Sequence, residues 1–397
     1  MELLRGRLIT HDLALQWPCE LREYWSQLLP LTAVIENLLH YGTIVIIVFG
    51  LVFNLMSMIV FTTKGMRKHS QNSYLLALAI YESNVLVFNF MVGVLRAQHS
   101  DIINRVFEDN EWLCITHSVV VELFNLLSIW MLVCMTVERC VVVIFPLKAS
   151  KLCSLRNSRI TVIVATLILS LISCHKILVS GFEGDSVYGY KACITNRIKL
   201  SSAIYVYVAL NTWLPMVIII TANIVILVCI YRTRNKLTAF GSRNTKAPGR
   251  GRSRQDRLTR TMIMISLAYI VLLLPLGITQ MVELFWNSTR KCIPSAILQQ
   301  QLKYIEYRRR QLLLKCIRSL CFFVYQVNYS VNFFIYCLSN PKFRLALRSF
   351  LPCLRKGEQR SQLGASSGTQ MSRLTAPNSV HSNHSTSIPT SMDSHTG

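Results

Sequence analysis

Residues 41–63 read YGTIVIIVFGLVFNLMSMIVFTT, without a single Asp, Glu, Lys, Arg or His. About 30 Å of bilayer hydrocarbon takes about 20 apolar residues of helix, so this run is long enough to cross a membrane and longer than a buried core helix needs. Working outward, six further stretches meet the same test: roughly 73–95, 114–144, 160–180, 203–231, 259–286 and 315–338. The expected fold is an all-α membrane protein, a seven-transmembrane helix bundle. Composition agrees: of 397 residues 52% are hydrophobic and 15% charged, and the mean hydropathy is +0.40, too apolar for water to be the only solvent.

A net charge of +23 would suit nucleic acid, but the basic residues lie between apolar runs and accompany no zinc-ligand spacing or arginine-aromatic module, which argues against that partner. They orient the bundle instead. Lys64, Arg67 and Lys68 follow the first span, Lys148, Lys151 and Arg156 the third, and a dense basic run from Arg232 to Arg260 the fifth. The positive-inside rule makes these loops cytoplasmic and the amino terminus external. Arg290, Lys291, Lys303 and Arg308-Arg309-Arg310, between spans six and seven, pull the other way and are outnumbered. Asn287-Ser288-Thr289 in that outer loop is a glycosylation sequon or an unused tripeptide. Met1–Thr10 lacks the apolar core of a signal peptide, so the first span is expected to target the chain.

Four regions follow: an external tail 1–40, the bundle 41–340, a surface helix 341–353 and a disordered cytoplasmic tail 354–397. In the surface helix Phe343, Leu347, Phe350 and Leu351 form one stripe, with Lys342, Arg344 and Arg348 on other faces, the pattern of a helix lying on a bilayer. Cys353 at its end is a palmitoylation site or a free thiol. The tail's many hydroxyls suit phosphorylation, and hence a receptor kinase and arrestin as partners.

Ionisable groups inside a span are costly and face the bundle interior. Glu82 lies about ten residues from the inner end of span two, near mid-membrane at about 1.5 Å per residue. Asn54, Ser128, Asn328 and Asn332 fall at comparable or somewhat deeper levels, so together they read as a cation or proton site, or as interhelical glue. Glu122 and Glu283, with His175 and Lys176, occupy the outer half, where a pocket open to the outside would lie.

In their order along the chain these residues resemble the rhodopsin-like (class A) G protein-coupled receptors, over roughly 41–353. The resemblance is carried by Gly50 and Asn54 in GLVFN, LALAIYES with Glu82 where the family usually has Asp, Trp112 and Cys114, Cys193, Ser128, Glu138-Arg139-Cys140, Pro146, Pro215, Pro275, NFFIY from Asn332 to Tyr336, and Phe343-Arg344. It implies a Cys114–Cys193 disulfide, coupling of Glu138, Arg139 and Tyr336 to a heterotrimeric G protein, and hinges at Pro215 and Pro275. No cofactor is expected, unless the cation of the polar middle is a sodium ion. A plasma-membrane glycoprotein receptor, not an enzyme, is the expectation.

The pattern departs from the family in the trigger region. Leu273 stands where the family has Trp, Asn223 where it has Tyr, Phe333 where the seventh-span motif has Pro, and Gln255 where an acid often restrains the span-three Arg. Raised basal signalling is expected. Val121 occupies the position at which amine receptors carry Asp, which disfavours a biogenic amine for lack of a counter-ion. NFFIYCLS resembles invertebrate neuropeptide receptors of the FMRFamide and myosuppressin-like kind, which points to a peptide ligand near Val121, Glu122 and Glu283. Cys292 and Cys316 are placed to close the long loop from Trp286 to Leu314. The alternative is a chemosensory seven-span receptor with atypical or no G protein coupling. Transporter, channel and enzyme readings lack, respectively, an internal repeat, a filter and a catalytic pair at depth.

Overall fold

The computed structural model describes residues 23–24, 26–98, 105–107, 109–184, 191–194, 202–239, 250–289 and 298–350. Seven helices are long and apolar enough to cross a membrane, as the hydropathy runs predict. Helix α1 spans Leu29–Thr62 and so starts well before residue 41, with Pro30 in its first turn, where a missing N–H costs nothing. Helix α2 runs Ser70–Val85, widens into a π-turn over Leu86–Met91 and finishes as Val92–Gln98. Helix α3, Glu111–Ile144, is capped by Asn110, whose side chain accepts from the Leu113 N–H at 3.2 Å.

A short helix, Pro146–Leu152, leads to α4, Leu155–Ser173, capped by Ser154 and extended by one turn at Lys176–Val179. Strands β1, Gly181–Gly184, and β2, Lys191–Ile194, pair antiparallel with Phe182 opposite Cys193. Helix α5 comprises Ser202–Val208, a π-turn at Ala209–Trp213 immediately before Pro215, and Leu214–Ala239. Helix α6, Arg250–Thr289, continues unbroken through Pro275. Helix α7 runs Leu298–Gln326, breaks at a tight turn on Val327 and resumes as Asn328–Ser339. Surface helix α8 is Pro341–Phe350, with the Asn340 side chain accepting from the N–H groups of Lys342 and Phe343.

The segment from Trp286 to Leu314 is therefore not a long loop. Leu302, Ile305, Leu312 and Cys316 keep helical spacing above the apolar run, and Ile305, Leu312 and Cys316 are buried, the last two against Leu28, Ile35 and Leu39 of the α1 end. A hydropathy count stops where the sequence turns polar; the periodicity does not. Cys316 is a free buried thiol, so the expected closure with Cys292, which lies outside the described residues, does not form.

Helix α3 is central: 56% of its most apolar stretch is buried in the bundle, against 22% for α4. It packs on α2, α4, α5 and α6. Helices α1 and α2 approach closely at Gly50, where an added Cβ would lie 2.7 Å from Leu86 Cδ1.

Candidate functional site

At the inner end of α3, Arg139 is 6% exposed and its Nη2 lies 3.7 Å from Glu138 Oε1. Glu138 is itself held from two sides, accepting from Ser70 Oγ of α2 at 2.8 Å and Ser158 Oγ of α4 at 2.9 Å. One turn outward, the Thr136 and Ser266 hydroxyls meet at 3.3 Å and tie α3 to α6 with a neutral link. Tyr336 is buried between Phe61 and Phe343, whose ring centroids lie 5.2 and 5.4 Å from its own. The Arg344 guanidinium donates to the carbonyls of Cys337 and Leu338 and so caps the last turn of α7. Apart from the Glu138–Arg139 pair within α3, each of these contacts joins different elements.

In the middle, Asn332 Nδ2 donates to Glu82 Oε1 at 2.6 Å, and Asn54 Nδ2 donates to the Tyr329 carbonyl at 3.1 Å. Asn328 and Ser128 are buried at the same level, but neither side chain bonds Glu82 among the described residues. Asn332 Oδ1 is buried without a partner. A single carboxylate with amide and hydroxyl oxygens around it is a donor set for a hard monovalent cation, and no group of three metal-ligating side chains occurs among the described residues. Sequence reasoning missed the layer above: Tyr325 and Tyr329 share a hydroxyl contact of 3.0 Å, and Tyr329 donates to Asn125 Oδ1 at 3.3 Å. Tyrosines one turn apart at mid-span were the available signal.

In the outer half, Glu122 is 2% exposed and accepts from Asn211 Nδ2 of α5 at 3.1 Å. Buried Lys176 holds its ammonium over the Tyr207 ring, 5.1 Å from the centroid, within electrostatic range of Glu122. Glu283 of α6 forms an ion pair with Arg318 of α7 at 3.0 Å. Val121 is half-buried, and its carbonyl accepts from Asn125 Nδ2 at 2.9 Å. Val121 and Glu122 thus border one α3–α5 cluster, while Glu283 belongs to a separate α6–α7 one. The Cys114–Cys193 disulfide, with Cα atoms 5.8 Å apart, pins the β1–β2 hairpin to the top of α3, and the Phe182 N–H donates to Glu111 at 3.3 Å beside it.

The sequence matches the family model described as 7 transmembrane receptor (rhodopsin family) over residues 53–336, most of the chain and nearly all of the bundle. The chain belongs to that family. A search of curated proteins finds no match to this receptor. The receptor is thus a multi-pass membrane protein. Its family is one of receptors, not enzymes.

Pro215 is buried and follows the α5 π-turn, while Pro275 faces outward from α6. The Asn287 side chain, the Gln255 side chain and Cys353 lie outside the described residues. Phe333 replaces the family's proline, yet α7 still breaks, six residues earlier at Val327, beside Gln326, which accepts from Thr43 Oγ1 at 2.9 Å.

Proposed function

We propose that this receptor sits in the plasma membrane with its amino terminus outside, binds an extracellular peptide and activates a heterotrimeric G protein through Arg139. The observation that carries this reading is the inner cluster. A buried guanidinium beside a carboxylate shared by three helices is held back from the cytoplasm, and separating α6 from α3 at Thr136–Ser266 would expose it. Ligand outside and protein inside then bias one two-state bundle. The disulfide-pinned hairpin supports a peptide, since it offers an extended edge above the helices. The missing carboxylate at Val121 argues against an amine. A sodium ion held by Glu82, Asn332 Oδ1 and Ser128 would stabilise the closed packing, since Glu82 of α2 and Asn332 of α7 part if α7 moves.

The test is G protein recruitment in cells exposed to a library of amidated neuropeptides. At least one peptide is expected to recruit a G protein, and Arg139→Ala is expected to abolish recruitment at equal surface expression. Recruitment undiminished in that variant would sink the coupling role.

A further inference from the structure

Arg308, Lys315, Arg318, Phe322 and Tyr325 recur on α7 at steps of three, four or seven residues and so share one face, and Tyr329 follows just beyond the break at Val327. The lower members fix where that face points. Phe322 packs edge-on against Phe90 of α2, and Tyr329 bonds Asn125 of α3, so the stripe looks into the bundle. The neighbouring stripe, with Leu312 and Cys316, packs on α1, and Glu36 lies beside Cys316 on that side. Three cations therefore stand in line above the tyrosines.

Among the described residues, Glu283 is the carboxylate that meets this row. Glu283 is paired with Arg318, while Arg308 donates to Gln311 at 2.9 Å and sits over the Tyr304 ring. Lys315 is half-buried in the joint field of Glu283, Arg318 and Arg308 and has no hydrogen bond or ion pair among the described residues. An ammonium withdrawn from water without a counter-charge is costly, and guanidinium and ammonium groups side by side match a planar or tetrahedral oxyanion.

We infer that Lys315 and Arg318 form a seat for an oxyanion of the ligand, a carboxylate or a sulfate, with Glu283 as the internal group that the oxyanion displaces. This rests on the receptor reading and narrows its peptide to an acidic or sulfated one. The two sources share the chemistry and differ in shape, so both are tested.

The full-length receptor in nanodiscs of zwitterionic lipid is melted with N-acetylglutamate amide, N-acetyl-O-sulfotyrosine amide, or N-acetylglutamine amide as the neutral isostere. At matched ionic strength, one acidic probe is expected to raise the unfolding midpoint saturably and the neutral one to leave it unchanged. Lys315→Gln weakens the effect roughly tenfold, as loss of a charge-assisted contact does. Lys315→Arg retains it, and Glu283→Gln tightens binding by removing the competitor.

The inference is overturned if neither acidic probe shifts the midpoint, or if Lys315→Gln responds as the parent does. It is also overturned if the shift vanishes when phosphatidylserine replaces part of the lipid, because the cations then serve a headgroup. Should oxyanions bind while no peptide recruits a G protein, the ligand reading above fails and this one stands.

Discussion

The two ends of the bundle handle charge differently. Inside, Glu138 and Arg139 are buried together and the carboxylate is further anchored by two serines, while Arg139 Nε is buried without a hydrogen-bond partner. Outside, between α6 and α7, Glu283 pairs with Arg318, and Lys315 beside them has no hydrogen bond or ion pair among the described residues. The inner carboxylate is satisfied, and its cluster must be opened to act. The outer end is incomplete and must be filled. That asymmetry is what a receptor requires, since occupancy outside has to be exchanged for opening inside.

The sharpest way to break the contrast is Glu138→Ala. It removes one member of a buried pair and takes away the acceptor of the Ser70 hydroxyl, Ser158 keeping the Ser154 carbonyl, so a loss of about 3 kcal/mol is expected with a several-fold rise in ligand-free signalling. Thermal melting and G protein recruitment without ligand measure the two effects, and a variant as quiet and as stable as the parent would refute the inner lock. Next in size is Ser266→Ala, which deletes the neutral α3–α6 link. About 1 kcal/mol and a smaller basal rise are expected, and pairing it with Thr136→Val in a double-mutant cycle isolates the contact. Smallest is Arg309→Ala at the outer tip, where the guanidinium lies 3.7 Å from the Tyr24 ring centroid and donates to the Tyr24 carbonyl. A change of about 0.5 kcal/mol in melting with no change in basal signalling is expected at so exposed a position.

The helices themselves were open to reading because membrane crossing is a one-dimensional property: length and apolarity suffice. The end of α7 was hidden, since Gln299–Gln311 is too polar for a hydropathy count and reveals itself only through Ile305, Leu312 and Cys316. The inner cluster was half visible. Glu138-Arg139 is contiguous, but Ser70 and Ser158 stand 68 and 20 residues away from Glu138 and have nothing in their own neighbourhoods to mark them. Glu82 and Asn332 were paired by depth, and depth was enough. Ser128 passed the same test but forms no bond to Glu82, because depth fixes a level and not an azimuth. The oxyanion seat depends on azimuth along α7 and could not be seen before the stripe was anchored by Phe322 and Tyr329.

The π-turn at Leu86–Met91 bears on that azimuth in α2. A π-turn accommodates one residue more than an α-turn, so everything beyond it, Arg96 included, is rotated by about 100° relative to an uninterrupted helix. Deleting one residue between 86 and 91 would let the π-turn close to an ordinary α-turn, with the outer portion still presenting the same side chains to α3 and α1. Loss of a single codon there is thus absorbed without re-facing the outer third of α2, while its inner half, with Glu82 and Ser70, stays in register.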